Sequence, residues 1–165
     1  MGSMPLHPAI VHLPLALAIL MPLIASSFGW ALWSGRIRPR SWLAVVALQA
    51  LLFGSGIAAT RTGEAEEDRV EHVVQESALH RHEELAEQFV WAGGLTLLLA
   101  GLVLIVRRPA GTRALIAAAV AATLVVAALG LRVGHAGGQL VYVHGAASAY
   151  AGPSAKPIVY RPDRD

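Results

Sequence analysis

Four apolar runs, each long enough to cross a membrane as a helix, dominate this chain of 165 residues. A bilayer core of about 30 Å needs roughly 20 consecutive apolar residues in a helix. The runs cover residues 10–33, 42–60, 89–106 and 114–133, and the one ionisable Arg, Lys, Asp or Glu in them is Arg132, next to the end of the last. Because lipid offers the backbone no hydrogen-bonding partner, the sequence predicts four transmembrane helices.

The composition agrees with a membrane environment. Charged residues make up 15% of the chain and hydrophobic residues 55%, whereas soluble domains are about 25% charged. A soluble bundle also needs a polar face on each helix, which these runs lack. We therefore predict an all-α fold, an integral membrane four-helix bundle that forms a single domain over residues 1–165 in a lipid bilayer. The basic residues lie mainly in short loops, which argues against a nucleic-acid partner.

The loop charges predict how the chain is oriented. Loops 34–41 and 107–113 each contain three arginines and no acid, whereas loop 61–88 contains nine of the eleven acidic residues. The positive-inside rule then places the two basic loops in the cytoplasm and loop 61–88 outside. We expect a multi-pass protein of the bacterial inner membrane with both termini and the segment 134–165 extracytoplasmic. The first apolar run exceeds a signal-peptide core of about 7–15 residues, so we interpret it as a retained helix.

Two outer segments are expected to cover the extracytoplasmic end of the bundle. The first is a helical extension that begins at Thr62 or Gly63 and runs into the third span, because acids follow a possible helix cap. The second is a C-terminal segment that folds back. There Gly137 and Gly138 predict a turn, and the alternating residues 140–143 predict a short extended piece.

The histidines carry the functional hypothesis. The chain has no cysteine, which excludes disulfides and thiolate metal sites. All seven histidines fall on the predicted extracytoplasmic side. Helical spacing places His82 in an apolar stripe with residues such as Val74 and Phe89, and places His80 on an acidic side. His12 shares a predicted bundle-facing stripe with Ala16, Ile19 and Leu23.

We expect His12, His82 and His144 to converge at the outer end of the bundle. His7 lies at the mouth of the first helix and His135 follows the fourth span, so both are further candidates for the same site.

Several motifs of the chain resemble a known family, the bacterial predicted membrane proteins grouped as domain of unknown function 2231. The motifs are HPAIVHLPLAL, TGEAEED, HEELAE and, most specifically, GHAGGQLVYVHG. The resemblance implies four membrane helices in a small domain that is sometimes fused to electron-transfer modules, and it implies no established activity. The positions that match the family motifs are His7, His12, His82, Gly137, Gly138, Tyr142, His144 and Gly145.

Two functional hypotheses from different classes remain open. The first is a b-type cytochrome in electron transfer, in which two imidazoles bind haem b and cations bind its propionates. Its candidate ligands are His12, His82, His135 and His144, and its candidate cations are Arg61 and Arg132. The second is a zinc or copper site for metal handling, built from His7, His12, His82 and His144.

A third alternative is an accessory subunit that packs beside a partner. Beyond the bilayer, the expected partners are a redox protein or a second copy of the chain. The sequence contains no Walker loop, Rossmann glycine pattern, nucleophile elbow or HExxH motif, and whether the protein is an enzyme stays open.

Overall fold

A computed structural model of the chain describes residues 6–150, which are almost entirely helical and contain no strand. The α-helices are α1 His7–Ile10, α2 His12–Trp33, α3 Leu43–Val70, α4 Glu76–Ile105 and α5 Pro109–Tyr142, and two 3₁₀ helices cover Pro39–Trp42 and Ala146–Tyr150. The predicted all-α class is confirmed. Residues 1–5 and 151–165, which complete the predicted domain 1–165 and outer segment 134–165, lie outside the described residues.

Four helical stretches are long and apolar enough to cross a membrane: His7–Trp33, Pro39–Val70, Glu76–Ile105 and Pro109–Tyr142. Each predicted span lies within one of these longer stretches, apart from Val106, which is one residue past the end of the third. The helices form a closed ring in which α2, α3, α4 and α5 follow one another and α5 returns to α2. Large apolar side chains such as Leu23, Leu98 and Ile105 are exposed on the outside of this ring, where lipid covers them.

Polar side chains inside the bundle link the helices through backbone carbonyls. The indole Nε1 of Trp42 donates to the carbonyl of Ala100 at 2.9 Å, and the amide Nε2 of Gln49 donates to the carbonyl of Gly93 at 3.1 Å. Trp42 and Gln49 are both fully buried. Such hydrogen bonds between membrane helices stabilise a bundle by about 0.6 kcal/mol each, and here they fix the register of α3 against α4.

The first outer segment begins later than the sequence suggests. Helix α3 continues through Thr62 and Gly63 to Val70, and α4 begins only at Glu76. The predicted helix start at Thr62 or Gly63 is therefore wrong, although a helical extension does precede the third span. The run after Gly63 is rich in Glu, Ala and Arg, which are good helix formers. Gly63 serves a close contact instead, since a Cβ there would lie 3.2 Å from Cε1 of His7.

The C-terminal segment folds back, but the turn lies elsewhere than predicted. Helix α5 continues through Gly137 and Gly138 to Tyr142, and the backbone reverses at Gly145, whose φ is +73°. The 3₁₀ helix that follows packs Ala146 into a small apolar cluster with Val74 and Leu140. The predicted diglycine turn and extended piece are therefore wrong, because helical hydrogen bonding persists across both glycines.

Two glycine substitutions distinguish the turn from the helix. We expect Gly145→Ala to loosen residues 146–150, because a left-handed backbone costs an L-residue about 1–2 kcal/mol. Hydrogen exchange of those amides, followed by mass spectrometry, should accelerate about 5–30-fold. The matched control is Gly138→Ala, which sits in a helix with nothing within 4 Å of its new Cβ, and should leave exchange unchanged or slower. If only Gly138→Ala accelerates exchange, the turn lies at Gly137 and Gly138, as the sequence predicts, and not at Gly145.

Candidate functional site

All seven histidines lie at one end of the bundle, which we call the histidine end. It is formed by the start of α1 and α2, the end of α3, the start of α4 and the end of α5. Their predicted placement on one side of the membrane is consistent with this arrangement. An open cleft of about 800 Å³ lies between the helix ends, and we call it the histidine cleft. Its ionisable lining residues are His7, Arg61, Glu64, Glu66, Glu67, His80, His82, Glu83, Glu84, Glu87 and Tyr150.

The imidazole of His7 is held by the backbone of α3. Its Nδ1 lies 2.9 Å from the carbonyl oxygen of Ala59 and 3.4 Å from Oγ1 of Thr62. A carbonyl oxygen can only accept a hydrogen bond, so Nδ1 carries the proton and donates it. In the neutral ring the Nε2 lone pair then remains available. Metal-binding histidines have this arrangement, in which the second ring nitrogen donates to a carbonyl or carboxylate.

His82 is half-buried on α4, as its predicted place in the apolar stripe requires, and His80 is exposed. The Nδ1 atom of His82 is buried and has no hydrogen-bond partner among the described residues. A buried polar atom without a partner costs about 1–3 kcal/mol. Such an atom is commonly satisfied by an ordered water or an ion, and the backbone carbonyl of Val133 on α5 also approaches the His82 ring.

The imidazoles of His7 and His82 lie close together, although they come from different helices. The ring centres of His7 and His82 are 6.2 Å apart, and the ring planes are nearly perpendicular at 87°. Each ring lies against a glycine. A Cβ on Gly63 would come within 3.2 Å of His7, and one on Gly137 within 3.1 Å of His82. The two glycines therefore let α3 and α5 approach the histidine pair more closely than any other residue would.

The cleft around this pair is acidic. Among the described residues, six glutamates line it, three from the end of α3 and three from the start of α4, and Arg61 is the one arginine. Clustered carboxylates create a negative potential that attracts cations and basic protein surfaces. The negative potential of the histidine cleft therefore favours positively charged ligands or partners.

Glu66 joins both ends of the described chain to α3. Its Oε1 accepts a hydrogen bond from the backbone N–H of Leu6 at 2.9 Å, and its Oε2 accepts one from the hydroxyl of Tyr150 at 2.7 Å. Burial, together with the hydrogen bond and negative charge of Glu66, raises the pKa of Tyr150 to about 12. The phenol therefore stays protonated at neutral pH, and this contribution to stability is lost only as the pH rises from about 10 through 12. The hydrogen bond from Leu6 to Glu66 holds the neighbouring residue, His7, at the edge of the cleft.

The structure separates the other sequence-predicted site residues from this pair. His12 is exposed together with Ala16, Ile19 and Leu23, so the predicted inward orientation of that stripe is wrong. The inward face carries Pro14, Leu17, Ala18 and Met21 instead. The four residues do share one face of α2, but this helix is apolar all round, so hydropathy could not show which face packs inward.

The remaining candidates lie outside the histidine cleft or on its rim. His144 is half-buried in the turn before Gly145 and does not line the cleft. His135 and Arg132 line a separate concavity on α5. His80 is on the rim, with 82% of its side chain exposed. Of the seven predicted cofactor-binding residues, the cleft contains His7, His82 and Arg61.

Three features of the site were missed from the sequence. Glu66, Gly63 and Gly137 have their roles through contacts with residues about 50 to 85 positions away. Within residues 6–150, no group of three or more His, Asp or Glu side chains is arranged to hold a metal ion. The described residues therefore bring together two imidazoles in the cleft, those of His7 and His82.

Four apolar helices in a closed ring, with a histidine-bearing cleft at one end, define a multi-pass helical membrane protein. Comparison with known families is more specific. A model of the predicted membrane protein family DUF2231 matches residues 3–149, and the chain belongs to this family. No curated protein and no solved structure matches the chain.

Proposed function

We propose that this protein is a membrane redox protein of the b-cytochrome kind, which binds haem b through His7 and His82 and transfers electrons at the histidine end. The observation that carries the proposal is the pairing of these two imidazoles across the cleft, with ring centres 6.2 Å apart. Two imidazoles that bind one metal from opposite sides have ring centres about 6 Å apart, because each metal–nitrogen bond is about 2 Å long. The observed separation fits that requirement.

The number of ligands favours haem over a bare ion. A structural zinc site needs about four protein ligands, and the described residues offer no group of three. A haem iron takes four nitrogens from the porphyrin, so two histidines complete its coordination. The cleft volume of about 800 Å³ lies in the range of cofactor pockets, which is about 300–1,000 Å³. Arg61 is the cation that the cleft offers to a propionate.

A non-haem zinc or copper site is the second candidate, and the charge of the cleft favours it. Six glutamates surround the histidine pair against one arginine, which suits a cation better than the two propionates of haem. In this alternative His7 and His82 bind the ion together with glutamate oxygens that move toward it, and the protein takes part in metal handling.

Absorption spectra and metal analysis of the full chain distinguish the candidates. The protein is expressed with sufficient haem supply, purified in detergent, and measured for a Soret band, for reduced-minus-oxidised bands and for metal content. We expect one haem per chain with bands typical of bis-histidine ligation. A colourless protein with stoichiometric zinc or copper would support the second candidate, and a colourless, metal-free protein would contradict both.

The function also requires an orientation, and we propose that the histidine end is extracytoplasmic. The six arginines of the two opposite loops support it through the positive-inside rule. Since the chain has no cysteine, single exposed cysteines report directly on each side. We expect an impermeant maleimide added to intact cells to label Ser77→Cys, at the start of α4, and not Ser34→Cys in the first arginine loop. Labelling of Ser34→Cys alone would reverse the orientation.

A further inference from the structure

A second concavity lies at the histidine end, on a different face of α4 and α5 from the histidine cleft. It has a volume of about 380 Å³ and is lined by Arg81 and Leu85 of α4 and by Leu131, Arg132, His135 and Gln139 of α5, among others. We call it the basic notch. None of the cleft residues lines it, so its ligand is separate from the one proposed for His7 and His82.

The notch presents hydrogen-bond donors to an anion. Arg81 and Arg132 approach from two helices, and none of the described residues that line the notch is an Asp or Glu. Among residues 6–150, neither guanidinium has a carboxylate within salt-bridge distance. The planar guanidinium matches phosphate oxygens and binds them in pairs. The side-chain chemistry therefore suits an oxyanion such as a phosphate group.

The position of the notch along the bundle indicates an amphiphilic ligand. Arg132 stands next to the end of the apolar run of the fourth span, so the two arginines lie near the level where headgroups meet hydrocarbon. Leu131, which lines the notch beside Arg132, is 60% exposed, and Leu124, two turns further into the membrane on the same face of α5, is 58% exposed. These leucines form an apolar track on the outside of α5 that continues from the basic notch.

We propose that the basic notch binds the phosphate of an anionic phospholipid, with Arg81 and Arg132 on the headgroup and Leu85 and Leu131 against the upper acyl chain. Basic pockets between membrane helices bind acidic lipid headgroups through the same combination of charge and apolar contact. Inorganic phosphate shares the headgroup chemistry but has no acyl chain, so the apolar track contributes only to lipid binding.

Lipid binding to the full chain tests the proposal. The protein is purified in a neutral detergent and titrated with phosphatidylglycerol, phosphatidylcholine or inorganic phosphate, with native mass spectrometry as the readout. We expect phosphatidylglycerol to be retained in preference to phosphatidylcholine. The double variant Arg81→Gln/Arg132→Gln should weaken phosphatidylglycerol binding about tenfold or more, since each basic residue contributes to the attraction of an acidic headgroup.

The matched control is Arg61→Gln, which removes one arginine from the same end of the bundle but from the acidic cleft. It should leave phosphatidylglycerol binding unchanged, and circular dichroism confirms that each variant is folded. Equal loss in Arg61→Gln and in the notch variants would mean nonspecific attraction and would overturn the site. Binding of inorganic phosphate as tight as that of phosphatidylglycerol would assign the notch to a free anion instead of a lipid. Haem or metal content is expected to be the same in the notch variants and the wild type, so this result stands apart from the proposed redox function.

Discussion

His7→Ala and His82→Ala are each expected to abolish binding of the proposed haem, or of the metal of the second candidate, in the purified protein. Each substitution deletes one of the two imidazoles that the structure places 6.2 Å apart, and a haem with one remaining axial histidine is held far less tightly. Haem per chain, measured from the reduced pyridine complex, should fall to a small fraction of the wild-type value. Circular dichroism checks that the helices remain.

Exposed histidines at the same end provide the controls. His80 is mostly exposed and His12 is exposed on the outer face of α2, so His80→Ala and His12→Ala should retain the full haem content. The sequence hypothesis makes the opposite prediction for His12 and His144, as members of a converging set with His82. Loss of haem in His12→Ala, together with retention of haem in His7→Ala, would contradict the proposed His7–His82 site. It would favour the sequence hypothesis of His12, His82 and His144 instead.

Gly29→Ala is expected to produce the largest loss of stability among conservative changes in the bundle. A Cβ at this position would lie 2.7 Å from Cγ2 of Ile116, and that methyl group belongs to a β-branched side chain that cannot swing away freely. Helices α2 and α5 must then separate, and such overpacking costs about 1–3 kcal/mol. The midpoint of thermal unfolding in detergent should drop accordingly.

Two further variants check the steric cause. Gly101→Ala adds the same methyl group where nothing lies within 4 Å, and it should keep or slightly raise the midpoint. Ile116→Ala removes the opposing methyl group. The double variant Gly29→Ala/Ile116→Ala should therefore lose less stability than the sum of the two single losses. Additive losses would contradict a steric cause at Ile116, because helix propensity alone would make Gly29→Ala more stable, not less.

Local properties of the sequence predicted the architecture. The length of an apolar run is a property of consecutive residues, and a membrane converts it directly into a helix. The same holds for His82 and His80, which are two positions apart on one helix and whose different exposure follows from 3.6 residues per turn. Counting spans placed all seven histidines at one end, because each antiparallel crossing exchanges the two sides.

The sequence was less informative where glycine had two possible uses. Gly63, Gly137 and Gly138 were interpreted as helix ends or turns, but the first two lie inside helices against the rings of His7 and His82. A glycine that permits a left-handed turn and one that permits a close contact are the same residue in the sequence. Which use applies depends on a neighbour dozens of residues away, and Gly145 shows the turn by its positive φ.

The four spans, the all-α class, the acidic character of residues 61–88 and the end at which the histidines lie all follow from local properties of the sequence. Which histidines meet depends on how the helices pack against one another. His7 reaches His82 because α1 packs on α3 and α3 packs on α4. A hydrogen bond from Leu6 to Glu66 of α3 also holds the start of α1 in place. Hydropathy and helical period describe each helix separately, whereas the rotation of one helix against another follows from side-chain packing between them.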